Sequence, residues 1–361
     1  MELSEQNILF IVRTMGLGGT ENVVLQLCEI FSGKVKKIIV CSSGGVHEAK
    51  LCKMGIKHYT IPDIASKNPS DMIKCYFSIK AIVKKEDINI IHSHHRMAAF
   101  YAELIAPKNV IKIANAHNTF YNKRKLTQFA YKNTQLIAVG EMVKKNLVEY
   151  FGIESNQICV IHNAVKEFTG DISPIEILKT ERDKGHILIG NIGRLSEQKG
   201  MKYFIEAAKA TEAKHPETRF VIVGDGEEKE QLQEQVKSLN LQEKVIFLGY
   251  RNDIQNVMKQ LDFIVLSSLW EGLPLTPIEA FSVGKTVIGT VVDGTPEIIR
   301  DNVDGYLVEP RDTIALADKM NFLCEHLGKR KDMEEKAIKR YNDAFSFEKL
   351  TQKYIEFYEV L

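Results

Sequence analysis

Thirteen short apolar runs, separated by longer amphipathic segments, recur along this 361-residue chain, and that rhythm narrows the possible folds more than any other feature. In the first half the runs are Ile8 to Val12, Lys37 to Cys41, Lys57 to Ile61, Asn89 to His92, Ile111 to Ala116, Leu136 to Val139 and Ile158 to Ile161. Helix-like stretches such as Glu21 to Phe31, Met72 to Lys85 and Glu141 to Phe151 lie between them. Strands that are apolar on both faces belong in a parallel sheet covered by helices on each side. Residues 165–184 break the rhythm with Gly170, Asp171, Ser173 and Pro174 and read as a linker. A second series follows: Ile187 to Ile192, Phe220 to Val223, Val245 to Leu248, Phe263 to Leu266, Thr286 to Ile288 and Tyr306 to Val308. The pattern predicts an α/β chain of two Rossmann-like, doubly wound parallel-sheet domains, residues 1–165 and 166–344, facing across a cleft at their strand C-termini. The tail from about Asp332 is helical by periodicity, and residues 345–361 are expected to pack back on the first domain.

Composition excludes several classes. With 44% apolar and 26% charged residues the chain is globular. No apolar run approaches the ~20 residues that span a bilayer. The polar start, Met1 to Gln6, has no signal-peptide character, so a cytoplasmic location is expected. The six cysteines have neither C-x-x-C pairing nor zinc-ligand spacing and are expected to be reduced. The net charge of +1 hides a split: through Val165 there are 21 Lys and Arg against 13 Asp and Glu, net +8, leaving −7 for the remainder. A solvated lysine-rich face and peripheral contact with an anionic membrane both fit that excess. A nucleic-acid partner does not, because no interleaved aromatic-basic pattern accompanies it.

The segments expected at the strand C-termini carry the chemistry. Glu271-Gly272-Leu273-Pro274-Leu275-Thr276-Pro277-Ile278-Glu279 places two carboxylates on a turn and the helix it opens, with Pro277 suiting the first helical turn and Glu279 near the N-terminus. Helix N-termini attract anions and carboxylates accept hydroxyl hydrogen bonds, so the segment suits a ligand that is part sugar and part phosphate. Gly193-Arg194 to Lys199-Gly200 supplies a guanidinium and an ammonium suited to a diphosphate. Backbone N–H groups at Gly294 and Thr295, ahead of Pro296, are expected to face the same phosphate. Gly16, Gly18, Gly19 and Glu21 follow the first strand, and Gly224 follows the second strand of the second series; neither turn completes G-x-G-x-x-G. His92, His94, His95 and His117 end two strands, where side chains can meet ligand hydroxyls. Each element also has a plainer reading as a tight turn, surface cations, an ordinary loop or a structural histidine.

In this order, the Gly18-Gly19 turn with Glu21, His117, Gly193-Arg194 to Lys199-Gly200, Glu271 to Glu279 and Thr295-Pro296-Glu297 resemble the retaining glycosyltransferases of family 4 over essentially the whole chain. The resemblance implies the GT-B fold, with an N-terminal acceptor domain and a C-terminal nucleotide-sugar domain. It implies that Glu279 binds ribose, that Arg194 and Lys199 neutralise the diphosphate, and that Glu271 contacts the transferred sugar. Gly18, Gly19, Gly224, Gly272, Leu273, Pro274, Leu275, Thr276, Gly294 and Thr295 would line the donor, and His94, His117 and Glu21 the acceptor side, with Glu271, His117, Arg194 and Lys199 carrying catalysis. Fixed cations would stabilise the departing diphosphate, so neither a cofactor nor a divalent metal is expected. The implied activity moves a hexose or N-acetylhexosamine from a nucleotide sugar, UDP favoured, to a glycan acceptor expected to be lipid-linked. Ala164, Gly140 and the pair Leu273-Pro274 depart from the commoner family pattern. A catalytically silent partner subunit or a nucleotide-sugar epimerase on the same fold are the alternatives.

Overall fold

The computed structural model describes residues 2–361. The chain forms two compact units: Met1–Asn163 with Leu350–Leu361, and Ala164–Lys349. Unit 1 holds β1 (Asn7–Ile11), β2 (Lys37–Ser42), β3 (Lys57–Thr60), β4 (Ile90–Ser93), β5 (Ile111–Ala116), β6 (Gln135–Ala138) and β7 (Ile158–Val160). They pair in the order β3-β2-β1-β4-β5-β6-β7, each pair parallel. Unit 2 holds β8 (Ile187–Ile192), β9 (Thr218–Val223), β10 (Val245–Gly249), β11 (Phe263–Leu266), β12 (Val287–Thr290) and β13 (Gly305–Val308), ordered β10-β9-β8-β11-β12-β13 and again parallel throughout. All thirteen apolar runs are strands. Both sheets are Rossmann-like and doubly wound. In each the winding reverses beside the first strand, between β1 and β4 or between β8 and β11, and ligands bind outside the strand C-termini at such a reversal.

The cores follow from burial on both faces. In unit 1, Leu9, Ile11, Ile39 and Ile91 pack with Cys75, Ile79 and Ile82 of the helix Pro69–Lys85. In unit 2, Ile189, Phe220, Phe263 and Ile288 pack with Phe204, Ala207 and Ala208 of the helix Met201–Lys214. Each such side chain contributes roughly 1.5–3 kcal/mol on burial. One sequence expectation changes. Residues 165–184 contain a helix, Glu176–Asp183, whose buried residue is Leu178, too little apolar signal to betray it. The tail forms two helices, Leu327–Ala344 and Phe347–Glu359, and its final residues from Leu350 belong to unit 1.

Candidate active site

Unit 2 gathers charged groups at its sheet reversal. After β8 the chain turns through Ser196 and a short helical turn, Glu197–Lys199, which Gly200 ends in the left-handed region at φ 56°. A Cβ there would stand 2.3 Å from Ser267 O, so the loop after β8 lies flush against the end of β11. Ser267 Oγ donates to that loop's carbonyls, 3.1 Å to Lys199 O and 3.0 Å to Gly200 O, and accepts from Asn191 Nδ2 at 2.9 Å. The Lys199 stem runs over Gly193 and its ammonium meets Glu271 Oε1 at 2.5 Å, with side chains 17% and 6% exposed. Ser268 Oγ donates to the same carboxylate oxygen at 2.6 Å, and Asp293 Oδ2 accepts from Glu271 N–H at 2.7 Å. A nearly buried carboxylate is thus held by an ammonium, a hydroxyl and the neighbouring turn.

Arg194 sits differently. Its guanidinium is largely exposed and paired with the exposed Glu227 at 3.1 Å. A solvent-exposed pair of that kind is worth about 0–1 kcal/mol and is easily exchanged for an incoming phosphate. Glu279 lies on the helix Leu275–Ser282, where Pro277 is the third residue; the glutamate therefore falls in the second turn, deeper than the sequence suggested. Partly buried, its carboxyl is pushed up to about 7 by desolvation, against the opposing charge of Lys199. The first turn of this helix, Leu275 and Thr276, has N–H groups without helical acceptors.

The expectation for Gly294 and Thr295 is overturned. Gly294 N–H donates to Gly272 O at 3.0 Å and Thr295 N–H to Val292 O at 3.0 Å, so both amides are occupied by the turn itself. The reason is contact: a Cβ on Gly294 would lie 2.3 Å from Gly272 O, so the turns after β11 and β12 are pressed together and bond to each other. Leu273 completes that packing and is buried. Gly224, at φ 142°, has a similar steric role, since a Cβ there would meet Gly193 O at 1.9 Å.

In unit 1 the histidines form a ladder. His92, inside β4 and fully buried, bonds Tyr358 OH through Nδ1 at 2.7 Å and Asn115 Oδ1 through Nε2 at 2.7 Å. Asn115 Nδ2 donates to Tyr354 OH at 2.7 Å. His92 stacks on His94, ring centroids 4.5 Å apart, and His94 Nδ1 meets His117 Nε2 at 3.2 Å. Burial lowers the pKa of all three, to about 3 for His92, about 4 for His117 and well below the usual value for His94, so they are neutral near pH 7. His95 stands apart as a helix cap, its Nδ1 accepting from Met97 N–H at 3.1 Å. Glu21 does not join the ladder. Its carboxylate accepts from Thr14 Oγ1 at 2.5 Å and folds over Gly18, covering the backbone that the sequence reading left open to a diphosphate. Among the described residues no group of three or more His, Cys, Asp or Glu is gathered in a form that could hold a metal ion.

Ser268, which holds Glu271, and the tyrosine pair of the last helix are not singled out by the sequence, and Asp293 reads there as part of an acidic turn without its bond to Glu271 N–H. Asp293, at φ 38°, is a non-glycine residue in the left-handed region beside a glycine, a placement that only the structure reveals.

The two Rossmann-like units, each a parallel sheet with side chains gathered at its reversal, have the GT-B architecture, and the family matches that follow make the chain a glycosyltransferase acting on nucleotide sugars. Residues 17–167 match the model "Glycosyltransferase Family 4" and residues 173–340 the model "Glycosyl transferases group 1". The chain is 30% identical over 323 residues to the Escherichia coli UDP-Gal:alpha-D-GlcNAc-diphosphoundecaprenol alpha-1,3-galactosyltransferase, covering 82% of each chain. It is 27% identical over 349 residues to the Campylobacter jejuni GalNAc-alpha-(1->4)-GalNAc-alpha-(1->3)-diNAcBac-PP-undecaprenol alpha-1,4-N-acetyl-D-galactosaminyltransferase, covering 93% of this chain and 94% of that one. Among solved structures, Anabaena HepE in complex with UDP superposes with a TM-score of 0.86 at 20% identity, covering 99% of this chain and 100% of that one. A glycosyltransferase from Rickettsia africae gives 0.85 at 25% identity, with 98% of each chain covered. The chain belongs to glycosyltransferase family 4.

Proposed function

We propose that the protein transfers a hexose or N-acetylhexosamine from a UDP-sugar to a lipid-linked glycan, with retention of anomeric configuration and without a divalent metal, in the synthesis of a cell-surface polysaccharide or glycoconjugate. Unit 2 is assigned the donor, with Glu279 on the ribose and Lys199 and Arg194 on the diphosphate. Unit 1 is assigned the acceptor. The observation that carries the donor assignment is the Lys199–Glu271 pair at the reversal of the unit 2 sheet, 2.5 Å apart and nearly buried. As the bond from C1 to phosphate breaks, negative charge grows on the diphosphate; a cation already fixed beside it stabilises that state without reorganising. Uridine and the lipid-linked acceptor rest on the two bacterial relatives, whose names carry undecaprenol-linked acceptors and, in the first, a UDP-sugar.

A thermal-shift comparison of UDP, GDP and ADP with their sugars tests the donor. Saturation by UDP-hexose at 100 times Kd should add about 2.7 kcal/mol of apparent stability. Transfer to an undecaprenyl-diphosphate glycan should proceed undiminished in EDTA, with the α-anomer as product. Loss of turnover in EDTA that magnesium restores would overturn the metal-free reading.

The same reading includes peripheral attachment to an anionic membrane. Ile73 and Phe77, one helical turn apart on Pro69–Lys85, are 58% and 62% exposed, and Lys80 lies over the neighbouring Tyr76 ring. Apolar side chains flanked by lysines on the more basic part of the chain suit an acidic bilayer surface. Among the described residues no helix is long and apolar enough to cross a membrane. The protein should float with phosphatidylglycerol vesicles, and Phe77→Ser should weaken that binding; equal recovery with neutral vesicles would remove the membrane clause.

A further inference from the structure

The unit 1 ladder fixes where its protons sit. Asn115 uses its amide N–H to reach Tyr354, so its Oδ1 is the acceptor facing His92, and His92 must carry its proton on Nε2. Its bare Nδ1 then accepts from Tyr358 O–H. His94 bonds His117 through Nδ1, while its Nε2 is buried without a hydrogen-bond partner. A buried N–H left without an acceptor is costlier and rarer than an unused acceptor, so the His94 proton belongs on Nδ1. His94 is therefore the donor in the 3.2 Å contact and His117 Nε2 the acceptor. A neutral His117 with a lone pair committed at Nε2 carries its own proton on Nδ1.

We infer that His94, held by its stack on His92, which Tyr358 of the last helix fixes in turn, is a positioning residue that locks His117 in the Nδ1–H tautomer. His117 thereby presents a hydrogen-bond donor at the C-terminal end of β5 and no basic nitrogen. The ligand chemistry that this suits is an oxygen acceptor, a sugar hydroxyl or a phosphate oxygen. His117 does not deprotonate the acceptor hydroxyl, so in the proposed transfer that proton leaves by another group, the departing diphosphate being the available base. Burial keeps the ring neutral and supports the assignment. Tyr354 and Tyr358 supply the far end of the ladder from a helix more than two hundred residues along the chain, making the last helix part of the site's geometry as well as its packing.

The inference rests on the proposed function only for its consequence, because the tautomer can be read without donor or acceptor. In protein labelled with 15N-histidine, two-bond proton–nitrogen correlation at pH 7 should show His117, assigned by its loss in His117→Gln, protonated at Nδ1. His94→Leu removes the donor and should move the His117 pattern to the Nε2–H form, with kcat falling about tenfold, the worth of one neutral hydrogen bond. His94→Asn, whose amide can donate from near the Nδ1 position, should keep the Nδ1–H pattern. Wild-type His117 protonated at Nε2, or a pattern unmoved by His94→Leu in a folded protein, would overturn the inference. Failure of UDP-sugar turnover with an intact Nδ1–H pattern would instead count against the proposed function alone.

Discussion

Lys199→Ala should abolish most turnover and destabilise unit 2 at the same time, and the two losses should be separable. In the free protein the ammonium sits 2.5 Å from Glu271, whose side chain is 6% exposed. Removing it leaves a buried carboxylate supported by the Ser268 hydroxyl, and breaking a buried pair from one side costs about 3–5 kcal/mol. Turnover should fall by about 10²–10³, the effect of losing one fixed group that stabilises charge developing in the transition state. Adding Glu271→Gln to Lys199→Ala removes the stranded charge, so the double variant should recover much of the stability lost in urea titration. It should recover none of the rate. A double variant that regains activity along with stability would show that Lys199 matters only as a structural counter-ion. Full activity of Lys199→Ala at saturating donor would refute its action on the leaving group directly.

The strands were legible because burial on both faces writes them as unbroken apolar runs, and the observed ends of Ile111–Ala116, Ile187–Ile192 and Phe263–Leu266 coincide with the runs themselves. The reversal at β8 and β11 follows from winding rules that need no side-chain detail. What the sequence hides is the direction of a backbone N–H. Gly294 and Thr295 have the composition of an anion-binding turn, yet Gly272 O takes the Gly294 amide and Val292 O the Thr295 amide. Local sequence also carries no trace of partners far apart in the chain, and 266 residues separate His92 from Tyr358. Glycines misled in a related way: Gly224 and Gly294 are required by backbone contacts within unit 2 whether or not a ligand touches them. Three of the six thiols, Cys28, Cys41 and Cys75, are buried, where a free cysteine packs as a small hydrophobe.

Glu279→Gln should make the free protein more stable and its hold on nucleotide weaker, and pH should separate the two effects. The folded carboxyl is raised to about 7 from an ordinary value of 4.5, chiefly by desolvation. Between those two values the folded state binds more protons than the unfolded one, so this group's contribution to stability falls as pH rises through that window. Below it the protonated acid carries no penalty; above it the full cost of a desolvated charge is present. Partial exposure screens that cost to roughly 2 kcal/mol, on a scale of 1.36 kcal/mol per pKa unit. The glutamine variant should therefore melt above the wild type at pH 8 and together with it at pH 4. Nucleotide binding should respond in the opposite sense. An ionised carboxylate accepts hydrogen bonds from both ribose hydroxyls, so binding favours the charged form and expels a proton. Wild-type affinity for UDP-glucose should thus fall as pH drops below about 7, whereas the variant's should be flat there and about 10–100-fold weaker at pH 8, the worth of hydrogen bonds to a charged group. Calorimetry in buffers of different ionisation enthalpy reads the released proton directly. A variant that binds UDP-glucose as tightly as the wild type at pH 8 would remove Glu279 from the ribose, and equal melting temperatures at pH 8 would remove the desolvated charge.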